Sequence, residues 1–227
     1  MDNRCESDMA RPINRFLRRA VYVVGRMRER SRFSFLGRSF EVHDGVLNPT
    51  AFRASLVFGR ETLSRAPSPP AQVLELGCGC GLTSVLLAHA GHQVTAVDID
   101  AAAVANTRSN AERNRVSLRA LVSDWDRELG PDERFDFIAM NPPFLREEPP
   151  AFRAALYAGS DLAILQAGLH AARRRLASKG RVVILTSDRT GREPFLESVR
   201  LEGLRVITTK QDRRWFDTYF TDVLEAA

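Results

Sequence analysis

Cysteine, histidine and lysine are scarce in this chain of 227 residues. The three cysteines, Cys5, Cys78 and Cys80, give no even framework of disulfides. A single C-x-C pair also lacks the four ligands of a structural zinc site, and the four histidines show no metal-ligand spacing, so we expect no metal. We interpret Cys78 and Cys80 as small residues beside glycine, with a reactive thiol as the alternative.

Long apolar runs are also missing. No stretch of 18 or more apolar residues occurs, and the N-terminus lacks the apolar core and cleavage site of a signal peptide. We therefore expect a soluble, cytoplasmic protein. The length and the 44% of hydrophobic residues suit one α/β domain with an extension, and they leave no room for a second large domain.

Positive charge is concentrated at the start of the chain. Residues 1–40 hold ten arginines against four acids, an excess of +6, whereas the whole chain carries only +5. Within residues 1–30 the apolar residues Phe16, Leu17, Ala20, Val21 and Val24 follow helical spacing, which predicts a helix with an arginine face. Two interpretations are open. The helix packs on the rest of the protein with its arginine face in solvent, or the arginine face binds phosphate groups of RNA or of a ribosome-bound partner.

Residues 73–81, with the sequence VLELGCGCG, predict a strand that runs into a glycine turn. Gly77, Gly79 and Gly81 permit positive φ and carry no Cβ, so a ligand can lie directly on the main chain. A dinucleotide fingerprint would need Gly or Ala at position 82, which is Leu82. A tight strand-to-helix turn without a ligand is the alternative interpretation.

The rest of the chain alternates between strands and helices. A β-hairpin over 33–49 and a helix over 50–64 precede a proline-rich connector at 66–70. Strands alternating with helices predict a parallel, doubly wound sheet, and the last two strands, joined without a helix, should form an antiparallel pair. The predicted strands are 73–76, 94–98, 117–123, 135–140, 181–186, 204–209 and 217–224, and the predicted helices are 82–90, 101–114, 160–177 and 191–202.

Polar residues follow the ends of these strands. Asp98 ends the second strand, Asp124 and Trp125 follow the third, and residues 141–144 follow the fourth. The carboxyl ends of parallel strands face one crevice, so these residues should meet there. This ordered set resembles the class I S-adenosylmethionine (SAM) dependent methyltransferases over about residues 35–224. The resemblance implies a Rossmann-like, seven-stranded sheet of order 3-2-1-4-5-7-6.

These observations divide the chain into three expected units: an arginine-rich extension at 1–30, a hairpin with its lead-in helix at 31–70, and a SAM-binding domain at 71–227. The resemblance implies that the glycine turn holds the methionine half of SAM, with Glu75 reaching the methionine amine through water. It also implies that Asp98 binds the ribose, that Ile99 packs on the adenine ring, and that Asp124 accepts a hydrogen bond from the exocyclic amine of the adenine. The implied cofactor residues are Glu75, Gly77, Gly79, Gly81, Asp98, Ile99, Asp124, Trp125 and Asn141.

The turn Asn141, Pro142, Pro143, Phe144 predicts the chemistry. An amide or base nitrogen attacks only when its N–H bonds are held so that its lone pair faces the methyl group. Asn141 offers a side-chain carbonyl and Pro142 a main-chain carbonyl, the prolines make the turn rigid, and Phe144 offers a face for a planar substrate. In isolation the turn could be purely structural; with the other strand ends it indicates methylation of a planar nitrogen.

Two further stretches, 35–49 and 155–162, are similar to the release-factor glutamine methyltransferases of the HemK/PrmC type. The chain departs from that family at residues 49–52, in Phe144 where tyrosine is commoner, and in its short N-terminal extension. We therefore expect either a protein glutamine or an RNA base amine as the acceptor, recognised by residues 1–30, by the loop 145–150 or by Tyr157.

Two alternatives remain open. The chain could be a small-molecule methyltransferase, or a non-catalytic SAM-fold protein that binds a partner or RNA. An oxygen acceptor would need a base, for which Glu147, Glu148 and Asp188 are candidates.

Overall fold

The computed structural model describes residues 31–50, 53–143, 162–213 and 217–227. The predicted N-terminal helix, Phe144, the loop 145–150 and Tyr157 lie outside these residues. In the described part of the chain, no helix has the length and apolar character needed to cross a membrane.

Nine strands and five helices are described. In chain order they are β1 Ser31–Phe35, β2 Arg38–Val42, α1 Ala54–Arg65, β3 Gln72–Leu76, α2 Leu82–His89, β4 Gln93–Asp98, α3 Ala101–Arg113, β5 Arg119–Val122, β6 Phe135–Met140, α4 Ala163–Arg175, β7 Leu176–Ser187, α5 Arg192–Leu201, β8 Leu204–Arg213 and β9 Thr218–Ala226. The predicted hairpin is β1–β2, and the predicted lead-in helix is α1.

The seven-stranded sheet has the order β5-β4-β3-β6-β7-β9-β8. Counting its strands from β3, this order is 3-2-1-4-5-7-6, so the predicted topology is confirmed. Strand β9 runs antiparallel to both β7 and β8, and the other pairs are parallel. The predicted antiparallel pair at the C-terminal end is therefore also confirmed.

Strand β7 begins earlier than predicted. It starts at Leu176, whereas the sequence predicted a helix through 177 and a strand from 181. The register against β6 shifts between Phe135 and Phe137, which pair with Leu176 and Arg181. Gly180 lies at this irregularity, where a Cβ would approach the carbonyl oxygen of Phe135 to 2.8 Å. A bulge that only glycine fits therefore extends the strand into the predicted end of the helix.

The central strands are buried on both faces, because helices cover both sides of the sheet. Alternate residues of β3, β6 and β7 face two separate apolar clusters. One cluster, with α4 and α5, includes Leu74, Leu76, Ile138, Met140, Val182, Ile184, Leu165 and Phe195. The other, with α1, includes Val73, Phe137, Ala139, Val183, Leu185, Val57 and Phe58.

An asparagine ladder on α3 holds the hairpin against the main sheet domain. Asn106, Asn110 and Asn114 recur every four residues and so lie on one face of the helix. Their amides donate to and accept from the backbone of residues 39–43 at distances of 2.7 to 3.1 Å. The three side chains thus take the place of a third strand and satisfy the edge of β2.

Candidate active site

The glycine turn lies between β3 and α2, at the carboxyl edge of the sheet. Gly77, Gly79 and Gly81 have φ values of +78°, +54° and +77°, which other residues rarely adopt. The N–H groups of Gly77 and Cys78 both donate to the carbonyl of Val97, at 2.9 and 3.0 Å. The turn is therefore anchored to the neighbouring strand β4.

The three glycines differ in what surrounds them. A Cβ at Gly77 or Gly79 would meet no atom of the described residues beyond its chain neighbours within 4 Å, whereas one at Gly81 would come within 2.8 Å of Thr107 on α3. The first two glycines thus border open space where a ligand can lie. Gly81 instead allows close packing between the turn and α3.

Asp98 ends β4 beside this turn. One carboxylate oxygen accepts from the N–H of Gly79 at 2.9 Å, and the other accepts from the N–H of Asp100 at 3.0 Å. Burial raises the pKa of Asp98, although these backbone hydrogen bonds act in the opposite direction. Since each carboxylate oxygen can accept about two hydrogen bonds, the side chain can hold the turn and still accept from a ligand.

Two exposed apolar side chains lie next to Asp98. Ile99 is 72% exposed, and Val122, which pairs with Asp98 in the sheet, is 47% exposed. Asp124 follows β5 at the same edge and forms an ion pair with Arg127 at 2.9 Å. The edge thus offers apolar surface between two carboxylates, which suits a ligand with a flat apolar part and polar substituents.

Trp125 follows Asp124 at this edge and is half-buried. Its φ of +54° turns the side chain toward α4, where the Trp125 ring and the sulfur of Met140 occupy the space beside Gly168. The ring is thus part of the core packing against α4. The predicted contact of Trp125 with the cofactor stays a prediction.

Glu75 lies below the turn, at the N-terminus of α2. The residue is only 3% exposed, and its carboxylate accepts hydrogen bonds from Ser84 and Thr83. Burial raises its pKa to about 7, even though those hydrogen bonds favour the charged form. By accepting hydrogen bonds from Thr83 and Ser84 in the first turn of α2, Glu75 stabilises the start of this helix as well as lying near the glycine turn.

Asn141 follows β6 directly, and its amide is only partly satisfied. Its Nδ2 lies 3.4 Å from the Ser55 hydroxyl on α1. Its Oδ1 is buried and accepts no hydrogen bond within the described residues. A buried acceptor without a donor costs about 1 to 3 kcal/mol, so such an atom calls for an explanation. Pro142 and Pro143 follow it, and Phe144 lies outside the described residues.

The other candidate residues, two cysteines and an aspartate, do not form a second reactive site within the described residues. Cys78 and Cys80 are buried; burial raises the pKa of Cys78 well above its usual value and that of Cys80 to about 12. Both thiols are therefore protonated at neutral pH and poorly reactive. Asp188 follows β7, and partial burial together with the charge of Asp217 raises its pKa. Across the described ranges, no three metal-ligating side chains come together.

Sequence reasoning missed the residues that support the turn from α3, namely Thr107 and Asn110. Thr107 donates to Gly79 and Asn110 donates to Cys80. The available signal was the asparagine repeat at 106, 110 and 114, since asparagine is a poor helix former and a regular repeat of it indicates a role outside the helix.

Comparison with known proteins gives a family for this arrangement. Residues 59–213 match the family model described as the methyltransferase small domain. The chain is 33% identical over 159 residues to the ribosomal RNA small subunit methyltransferase C of Chromohalobacter salexigens, covering 69% of this chain and 44% of that protein. It is 40% identical over 116 residues to the release factor glutamine methyltransferase of Bordetella pertussis, covering 50% of this chain and 43% of that protein.

The chain thus spans under half the length of these two relatives. Among solved structures it resembles the T. thermophilus 16S rRNA N2 G1207 methyltransferase in complex with AdoMet and guanosine. That match has a TM-score of 0.66 at 24% identity and covers 88% of this chain and 50% of the other. At this identity the structural match supports the fold alone.

The raised pKa of Glu75 predicts a pH-dependent stability. Between pH 4.5 and 7 the folded protein keeps a proton that the unfolded chain has lost, so the free energy of unfolding falls as pH rises. In Glu75→Gln this contribution disappears, while the amide still accepts from Ser84 and Thr83. Urea unfolding should show wild type losing roughly 2 to 3 kcal/mol relative to the variant between pH 5 and 8. A difference that is constant with pH would mean that the pKa of Glu75 is not raised.

Proposed function

Because the chain belongs to the methyltransferase small domain family, we propose that it transfers a methyl group from SAM to a planar nitrogen. The acceptor is a protein glutamine side chain or an amine of an RNA base. The observation that carries this proposal is the buried Oδ1 of Asn141, which has no donor among the described residues. A substrate N–H group is the donor it lacks.

The residues of the turn fit SAM. Gly77 and Gly79 leave open space above the main chain for the methionine half, since within the described part of the chain only their own chain neighbours lie within 4 Å of the positions their Cβ atoms would take. Asp98 would accept from the ribose hydroxyls, Ile99 would cover the adenine, and Asp124 would accept from its amine. Bound SAM supplies a methyl group on a positively charged sulfur, which a correctly placed nitrogen can take without acid catalysis.

Asn141 would orient the acceptor nitrogen. Its Nδ2 faces Ser55, so Oδ1 is the end of the amide that remains for a substrate. A hydrogen bond from the substrate N–H to Oδ1, and a second to the Pro142 carbonyl, would turn the nitrogen lone pair toward the methyl group. After transfer the nitrogen releases its proton to solvent, so the step needs no general base. Asn141 would also border the cofactor.

The choice between a protein and an RNA acceptor would depend on segments that lie outside the described residues. The two relatives named above act, by their names, on a release factor glutamine and on ribosomal RNA. For this chain we propose a division into an extension at 1–30, a hairpin unit at 31–70 and a catalytic domain at 71–227, acting in the cytoplasm. Residues 1–30, loop 145–150, Phe144 and Tyr157 are the proposed substrate contacts.

Removing the Asn141 carbonyl should affect catalysis far more than cofactor binding, since alignment matters most in the transition state. We expect Asn141→Ala to lower kcat by about 10²-fold or more while SAM still binds. The assay is mass spectrometry of release factors, total RNA and a metabolite extract after incubation with SAM, scored for one added methyl group and followed by kinetics on the substrate found.

Asn141→Asp is the matched variant, because it keeps an acceptor but adds a charge and loses the contact from Nδ2. We expect the kcat of Asn141→Asp to lie between those of wild type and Asn141→Ala. Normal turnover by Asn141→Ala with SAM bound would contradict the nitrogen assignment and favour an oxygen acceptor with Asp188, Glu147 or Glu148 as base.

The arginines of the extension should bind phosphate if the acceptor is RNA. Replacing Arg18 and Arg19 with Gln should weaken RNA binding and make it less dependent on salt, because each lost phosphate contact lowers the slope of log K against log salt by about 0.7. Arg134→Gln with Arg181→Gln removes the same charge from exposed positions at the amino edge of the sheet and is the control. Equal salt slopes for wild type and both double variants would leave the extension without a role in RNA binding.

A further inference from the structure

Two side chains of α3 reach the carbonyl groups of the glycine turn. Thr107 is fully buried, and its hydroxyl lies 3.1 Å from the Gly79 carbonyl, to which it donates. It also lies 3.2 Å from the sulfur of Cys78. The same residue fills the space that a side chain at position 81 would need. Thr107 therefore hydrogen-bonds with two residues of the turn, Cys78 and Gly79, and packs closely against a third, Gly81.

Asn110 lies one turn further along α3 and is also fully buried. Its Nδ2 donates to the Cys80 carbonyl at 2.8 Å and to the Glu41 carbonyl of β2 at 2.8 Å, while its Oδ1 accepts from the Glu41 N–H at 2.8 Å. The amide thus uses both of its N–H groups and its carbonyl. It is shared between the hairpin and the glycine turn.

These contacts set the direction of the peptide groups in the turn. In a trans peptide the C=O and the following N–H point in opposite directions. The Gly79 carbonyl points toward α3, so the N–H of Cys80 points away from it. The Cys78 carbonyl accepts from the Gly81 N–H at 2.8 Å. The carbonyls of 78, 79 and 80 are thus all bonded within the protein and are kept away from a ligand on the open side.

A turn with three glycines has unusual conformational freedom, and a ligand that orders it must offset the lost entropy. Fixing the turn beforehand removes that cost and raises affinity. We propose that Thr107 and Asn110 are positioning residues, which hold the glycine turn in the shape that binds SAM. This inference rests on the proposed function for the identity of the ligand, and on the described contacts for the shape of the turn.

Asn106 gives a matched control. It is fully buried on the same face of α3 and bonds the same Glu41 carbonyl, at 2.7 Å, and the His43 N–H at 2.9 Å. The difference is that Asn110 also reaches Cys80. Asn106→Leu and Asn110→Leu therefore remove comparable contacts with the hairpin, and the second alone removes a contact with the turn.

The experiment is titration calorimetry with SAM on the full chain, together with kcat at saturating SAM, thermal unfolding and hydrogen exchange of the amides of residues 77–81. Thr107→Val and Asn110→Leu should each raise the Kd for SAM by about tenfold, the effect of one lost hydrogen bond, with kcat unchanged within about twofold. Both should exchange faster at 77–81. Asn106→Leu should lower Tm by a similar amount yet keep the wild-type Kd, and Thr107→Ser, which keeps the hydroxyl, should bind nearly as wild type does.

Equal loss of SAM affinity in Asn106→Leu and Asn110→Leu would overturn the inference, since both residues would then act only through the overall stability of the fold. Unchanged Kd and unchanged exchange in Thr107→Val would overturn it as well. If wild type itself takes up no SAM, the proposed function fails; the exchange at 77–81 then still shows whether Thr107 and Asn110 hold the turn.

Discussion

The hydrogen bond between the N–H of Gly79 and the carboxylate of Asp98 connects the two parts on which the candidate site depends. It ties the turn after β3 to the end of β4, while Thr107 and Asn110 tie the same turn to α3. The turn is thus bonded on two sides and open on the third. Gly77 and Gly79 border this open side, whereas Gly81 packs against Thr107. A glycine in the turn is therefore not enough to mark a ligand site; the glycine must also face the open side.

The second constraint is the sheet order, which brings β6 beside β3. Met140 pairs with Leu76, so Asn141 follows its strand at the same level as Gly77 follows β3. The Asn141 carbonyl at this position is buried and has no donor among the described residues; under the proposed function a substrate N–H group is its donor. The donor for that carbonyl would thus arrive beside the cofactor turn, where a methyl group could be transferred.

The sequence predicted the order of the elements well, because their signals are local. Apolar runs, the glycine turn and the prolines after β6 each depend on neighbours in the chain, and the strand order and the β1–β2 hairpin were confirmed. The early start of β7 was missed, because it depends on a bulge against β6 at Gly180. The asparagine ladder was also missed: Asn110 and Glu41 are 69 residues apart, and the partner of a buried amide cannot be read from periodicity. For the same reason the sequence could not show that the Trp125 ring faces the core or that Glu75 stabilises the start of α2.

The most direct test of this account is titration calorimetry of the purified full chain with SAM, comparing wild type with Asp98→Ala. We expect saturable binding of one SAM by wild type and a loss of about 1.5 to 3 kcal/mol in binding free energy in Asp98→Ala, the contribution of a hydrogen bond to a charged group. Asp100→Ala is the control, because Asp100 is an exposed neighbouring acid whose side chain caps α3, and its affinity should stay at the wild-type value. No binding by wild type, or equal binding by wild type and Asp98→Ala, would contradict the account.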